Sequence, residues 1–292
     1  MKNYFIILFS LLYTCCLSQT QEELINSIIK RNVFESDCIG AGCTMSEQYE
    51  NFQKLIKISS EKELLKLTDH KNSVLRVYAQ TYFIDQDKNV IEIFKNELKR
   101  NKKIETLDGC LIDFEYTSSI IYHNYWNSVR LNSITEFDTI ENLRNEKMST
   151  VVQNHEKLKL LDNLILNSNK NLNWLLYSRA FDNQKNNPIS IKQVEKLAFK
   201  KNNFYAFSYL VKNDYENQEY NLEQYFKSKF IKANFDSENK IYYLFDFIEY
   251  LLNSNNNEYK KLVAKKLNKS EYWKKYSGSN FYTLLENHQI KL

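Results

Sequence analysis

At 292 residues the chain is long enough to bury a large core or to form one elongated repeat array. Four glycines and a single proline leave too little turn chemistry for an all-β protein; long runs without a breaker favour helix, so the fold expected is all-α. A formal charge of +4 is nearly balanced and gives no support to a nucleic-acid binder, which usually concentrates basic residues on one face.

The chain opens like an export signal. Lys2 supplies the positive start, residues 4–17 form a short apolar run, and Cys16-Leu17-Ser18 ends in the small residue a signal peptidase needs. Cleavage between Ser18 and Gln19 is expected, with residues 1–18 as signal peptide and residues 19–292 as one mature domain in the periplasm or outside the cell. Cys15 and Cys16 leave a lipid anchor in the envelope as the alternative. The apolar run is too short for a transmembrane helix, so the mature chain is expected to have no transmembrane span.

Residues 19–43 read as an N-terminal helix and a cysteine-bearing loop. Leu24, Ile25, Ile28 and Ile29 mark the helix at residues 21–32, and the loop at residues 35–44 carries Cys38 and Cys43. Gly40 and Gly42 let the backbone return to bonding distance, so Cys38 and Cys43 are the candidate disulfide. So short a closure is worth about 2 kcal/mol on the chain-entropy account. Cys110 is then left free, unless it takes one partner from the pair.

Residues 44–292 read as helical hairpins. Thr44 and Glu47 have capping-box spacing ahead of Tyr49, Phe52, Leu55 and Ile56. Ser60 and Glu63 repeat that spacing, and Leu64, Leu67 and Thr68 then share a face. A polar turn at residues 68–73 leads to a second helix, capped by Asn72 or Ser73 and striped by Val74, Val77, Tyr78 and Thr81. With Asp69 in the turn and Val74 and Arg76 early in the second helix, residues 63–83 resemble one HEAT-type helical hairpin. The resemblance implies a HEAT/armadillo-like α-α superhelix of stacked hairpins. It also implies that Arg76 bonds back to the preceding turn, with Asp69 as its partner. Gln80 points away from the apolar stripe and is the residue expected on a binding face.

Further along, Asp87 is placed to cap a helix at residues 89–99 that bears Ile91, Phe94 and Leu98. The basic run at residues 99–103 is expected to be a solvated helix end. Asp108-Gly109-Cys110 reads as a turn, and Asp113 as the cap of a longer helix with Ile121, Tyr122, Tyr125, Trp126 and Val129. Residues 132–145 read as a loop and a weak helix. Val151, His155, Leu158, Leu161 and Ile165 make one stripe, which puts His155 in the core with one ring nitrogen bonded. Residues 172–181 form the partner of that helix. Pro188 and Ser190 then start a hairpin that aligns with residues 63–83 without gaps, Leu64 on Val194, Leu67 on Leu197, Val74 on Phe204 and Val77 on Phe207. Ala206 stands where the first copy has Arg76.

Two more stripes follow, Leu222, Tyr225, Phe226 and Ala233, then Ile241, Leu244, Phe245, Ile248, Leu251 and Leu252. The lysine-dense end, residues 259–285, is expected to be the polar cap of the last repeat.

No nucleotide loop, zinc-protease helix, nucleophile elbow or EF-hand is present, and no cysteine and histidine cluster completes a metal site. No catalytic residue, metal or cofactor is therefore expected. The function expected is a binding or scaffold module for a protein or peptide partner, with no nucleic acid. An enzyme of unrecognised type on a helical scaffold, or a lipid-anchored structural protein, is the alternative.

Overall fold

The computed structural model describes residues 20–134, 141–170, 172–183, 190–212, 227–228, 230–232, 245, 248–253, 256–269, 273–274 and 279–291. The chain clusters into two compact units, Met1–Ile189 and Ser190–Leu292, where the sequence predicts a single repeat-like body. It is mostly helical, but the all-α expectation needs one correction: the first unit contains a four-stranded sheet.

The first unit begins with α1 (Gln21–Arg31), opened by a capping box between Thr20 and Glu23 and closed by Asn32 in the left-handed region at φ 54°. Asparagine tolerates that conformation because its short side chain bonds locally. The chain then extends into β1 (Val33–Ile39) and returns as β2 (Thr44–Met45). Next come α2 (Glu47–Ile58), α3 (Glu61–Leu67), α4 (Ser73–Asp85) and α5 (Val90–Arg100). Asn101 closes α5 at φ 45°, again left-handed. A second hairpin follows, β3 (Lys103–Gly109) and β4 (Leu111–Tyr116), and then α6 (Thr117–Leu131). The unit ends with α7 (Glu141–Asn154), α8 (Glu156–Leu166) and α9 (Trp174–Asn183).

The sheet order is β2-β1-β3-β4. Both hairpins are antiparallel, and β1 and β3 pair in parallel with Val33 opposite Glu105 and Glu35 opposite Leu107. The connectivity helix, left-handed Asn, strand, Gly turn, strand, helix therefore occurs twice, and the parallel pair joins the two copies. The same Lys-Arg-Asn tripeptide, residues 30–32 and 99–101, ends the first helix of each. Each hairpin turns at a glycine of positive φ, Gly40 at 74° and Gly109 at 55°, so two glycines suffice for a sheet in a glycine-poor chain.

Several local expectations change with the sheet. The loop at residues 35–44 is β1, its turn and the start of β2. Thr44 lies in β2, and the cap of α2 is Ser46, which accepts from the Tyr49 N–H. Asp113 lies in β4 and caps nothing, because α6 starts only at Thr117. Asn89, not Asp87, is the capping position of α5. The Ser60–Glu63 capping box and the Asn72 cap are both present.

At the centre lies α4. Val74, Leu75, Val77, Ala79 and Phe83 are fully buried, and Arg76, Tyr78, Gln80 and Ile84 nearly so. Burial extends beyond the one-sided stripe the sequence predicts: Thr81 is only half-buried, and α4 is enclosed by α1, α3, α5, α6 and β1. Tyr78 ties this helix to the sheet. Its ring sits between Phe34 and Phe52, centroids 4.6 and 5.0 Å away. Its hydroxyl accepts from the Glu35 N–H at 2.9 Å and donates to the Glu35 carbonyl at 2.8 Å.

On the other side of the unit, the Tyr122 hydroxyl donates to Asp162 at 2.6 Å, and Asn183 donates to both, which locks α6, α8 and α9 together.

The second unit contains α10 (Ile191–Glu195), a π-helical turn (Lys196–Lys200), α11 (Phe204–Lys212), α12 (Asn257–Leu267) and α13 (Ser279–Asn287). Val194, Leu197 and Ala198 are buried, as are Ala206, Phe207 and Leu210, and Asn203 caps α11 by accepting from the Ala206 N–H. Ile248, Leu251 and Leu252 are buried as their stripe predicts; Leu222, Tyr225, Phe226, Ala233, Ile241 and Leu244 lie outside the described residues.

Removing the Tyr78 hydroxyl leaves a buried N–H and a buried C=O of β1 without that partner. We expect Tyr78→Phe to cost about 1–3 kcal/mol in chemical denaturation at an unchanged m-value.

Candidate functional site

The residues singled out on the α3–α4 hairpin fall in a buried polar network. Arg76 is 3 % exposed, and it does not reach Asp69. Its Nε donates to Glu97 Oε1 at 2.7 Å, and its Nη1 donates to the His70 carbonyl at 2.7 Å. The bond to the preceding turn exists, but through the backbone. Asp69 instead pairs at 2.7 Å with Arg100, which also reaches Glu97 at 2.9 Å.

Gln80 is 1 % exposed and cannot serve as a binding face. Its amide donates to the Thr68 carbonyl at 2.8 Å and to Glu97 Oε1 at 3.0 Å, because α4 has no free side. Glu97 is thus the hub. Burial pushes its carboxyl up, but hydrogen bonds from Arg76 and Gln80 and the charge of Arg76 outweigh that and hold it below the usual carboxylate range. Sequence reasoning missed Glu97 because it is a lone acid on an amphipathic helix, with no local signal for partners 17 and 21 residues upstream.

The structure joins Cys38 to Cys43 in a disulfide that closes the β1–β2 turn, and leaves Cys110 exposed and free at the β3–β4 turn. Ser18 and Gln19 lie outside the described residues.

The histidines do not converge. His70 accepts from the Asn72 N–H at the α3–α4 turn. His155 does not continue a single helix; it stands at the junction of α7 and α8, half-buried, with its ring edge-on to Tyr125. Burial lowers its pKa, and its Nδ1 is buried without a hydrogen-bond partner. Val152 rather than Val151 is buried beside it. His123 lies on α6 with Asn127 at 2.8 Å from Nε2 and Arg179 at 2.7 Å from Nδ1. Among the described residues no three His, Cys, Asp or Glu side chains are grouped to hold a metal ion.

The open surface lies on the sheet. Strand β4 is at its edge, and Leu111, Ile112 and Phe114 are 75 %, 67 % and 58 % exposed. Ile112 and Phe114 point to one face, while Leu111, Asp113 and Glu115 alternate onto the other. An edge strand is a template for another chain; β4 has no lysine or proline to blunt it, and the charges it carries, Asp113 and Glu115, are both acidic.

No family model, curated protein or solved structure matches this chain, and no described helix is long and apolar enough to cross a membrane.

We expect Arg76→Ala to cost about 3–5 kcal/mol, since it leaves the Glu97 carboxylate buried without its principal partner. The folded Glu97 carboxyl titrates below the unfolded one, so its stabilisation is present above about pH 4.3 and is lost as pH falls through the folded value. Urea titrations across the acid range should therefore show a steeper acid-side loss in wild type than in Glu97→Gln.

Proposed function

We propose that this chain is an exported, helix-rich binding module that captures an extended segment of a protein or peptide partner along the free edge of β4. The observation that carries the reading is the exposure of Leu111, Ile112 and Phe114 on an edge strand without lysine or proline. Strand addition supplies main-chain hydrogen bonds, and alternate side chains supply selectivity. Asp108, Asp113 and Glu115 make one face of the hairpin acidic. The partner segment fitting both faces alternates apolar and basic residues.

The export half of the proposal rests on Lys2, the apolar run at residues 4–17 and Ser18, and the Cys38–Cys43 disulfide supports it. The hairpins α3–α4 and α10–α11 support a scaffold role, and a HEAT/armadillo-like stack is the finer reading we attach to them.

The test uses synthetic extended peptides and the mature chain. A Val-Lys alternating peptide should bind saturably in fluorescence anisotropy, and a Val-Glu peptide of the same length should not. Ile112→Lys and Phe114→Lys should abolish binding while shifting stability by less than about 0.5 kcal/mol, since both positions are exposed. Equal binding of both peptides, or unchanged binding by both variants, contradicts the proposal. So does a concentration-dependent dimer in sedimentation that disappears in Phe114→Lys, which would assign the edge to a second copy of the chain.

A further inference from the structure

A second, independent feature lies on α6. His123, Trp126, Asn127 and Arg130 recur at the spacing that places side chains on one helical face, and all four are half-buried. From α9, Arg179 reaches into the same place, its Nη1 2.7 Å from His123 Nδ1. The two guanidiniums lie against the Trp126 indole, 4.2 Å away for Arg130 and 4.0 Å for Arg179. Stacking on an aromatic face holds each cation in place but neutralises neither.

Two like charges thereby share one aromatic ring. No described carboxylate forms an ion pair with either guanidinium. Burial lowers the pKa of Arg179, and the charge of Arg130 lowers it further. Glu115 is the described acid whose charge is felt at Arg179, yet burial, Asp113 and Asp108 all raise its own pKa. Tyr122 also faces Arg179, but its hydroxyl is committed to Asp162, and burial pushes its pKa well up. His123 supplies no charge either: its Nδ1 faces the Arg179 donor, and burial followed by the charges of Arg179 and Arg130 lowers its pKa.

The donors are left over as well as the charge. Trp126 Nε1–H is buried with no hydrogen-bond partner, so a third donor accompanies the two planar forks. Both guanidiniums are half-buried, and a guanidinium matches a tetrahedral or planar oxyanion in two-point geometry.

We propose that Arg130, Arg179 and Trp126 form a binding site for an oxyanion of the phosphate class, free or as the phosphate group of a small molecule. Two cations favour a dianion over a monoanion. The site lies on α6 and α9 and uses none of the exposed apolar residues of β4, although Glu115 on that strand is the acid whose charge reaches Arg179.

Inorganic phosphate, sulfate and acetate, titrated at constant ionic strength against a chloride control, test this by calorimetry and thermal unfolding. Phosphate should bind saturably and raise Tm, with sulfate close behind and acetate weaker. Arg130→Gln and Arg179→Gln should each weaken phosphate binding about ten- to a hundredfold, the loss expected for one charge-assisted contact. Lys159→Gln, in the pair with Glu156 and in none of the contacts of the site, should bind as wild type does. Arg179 also bonds His123, so circular dichroism must show that its variant is folded; Arg130→Gln is the safeguard if it is not. Absence of saturable phosphate binding, or wild-type affinity in folded Arg130→Gln, overturns the proposal. A response to acetate without one to phosphate overturns the assignment to the phosphate class.

Discussion

The first unit depends on burying a charged pair beside its central helix. Arg76 and Glu97 meet at 2.7 Å with 3 % and 0 % of their surfaces exposed, and removal of either strands the other in a low-dielectric interior. The surroundings make that placement tolerable. Gln80 and Arg100 add donors to the carboxylate, and the His70 carbonyl and Ser73 hydroxyl accept from the guanidinium. One cluster therefore joins the α3–α4 turn, the first turns of α4 and the last turn of α5. The end of α5 is in turn where the chain swings through Asn101 into β3, so the network fixes the direction in which the second hairpin leaves.

A parallel arrangement organises the other copy of the module. Glu35 on β1 is 3 % exposed, accepts from Ser46 at 2.6 Å and pairs with Arg31 at 2.7 Å. In both copies a buried glutamate is held by an arginine from the Lys-Arg-Asn helix end, and the left-handed asparagine that follows is itself fixed by a side-chain bond. Asn72 donates to Asn32, and Ser118 donates to Asn101. Two like modules set side by side produce the parallel β1–β3 pair, and they leave β2 and β4 as edges. The exposed apolar strand is thus a consequence of how the sheet is assembled. Its outer side has no third module to cover it among the described residues.

The helices were legible in the sequence because capping and periodicity are local. Ser60, Glu63 and Asn72 marked their ends, and Leu64, Val74 and Val77 marked their buried faces. The sheet was not, for two physical reasons. Glu35 occupies a buried strand position, which spoils the apolar alternation of β1, and the few glycines argued against strands although only Gly40 and Gly109 were needed. Alternation in Ile104, Thr106, Ile112 and Phe114 is the one strand signal these segments carry, and it is only two residues long in each strand. The disulfide partners were legible from two glycines between two cysteines. The partners of Arg76 and Gln80 were not, since Glu97 is brought in by tertiary packing. The cluster around Trp126 joins α6 to α9 across 49 residues and more, and only the helical spacing of His123, Trp126 and Arg130 hinted at it.

The central claim is that α4 is the enclosed core of the first unit and β4 its open edge. Native-state hydrogen exchange on the mature chain tests both parts at once. Amides of residues 77–84 should exchange only through global unfolding, tracking the full unfolding free energy as denaturant is added. Outward-facing amides of β4 should exchange orders of magnitude faster, through local opening. Fast exchange throughout α4, or protection of every β4 amide to the global limit, would contradict the account.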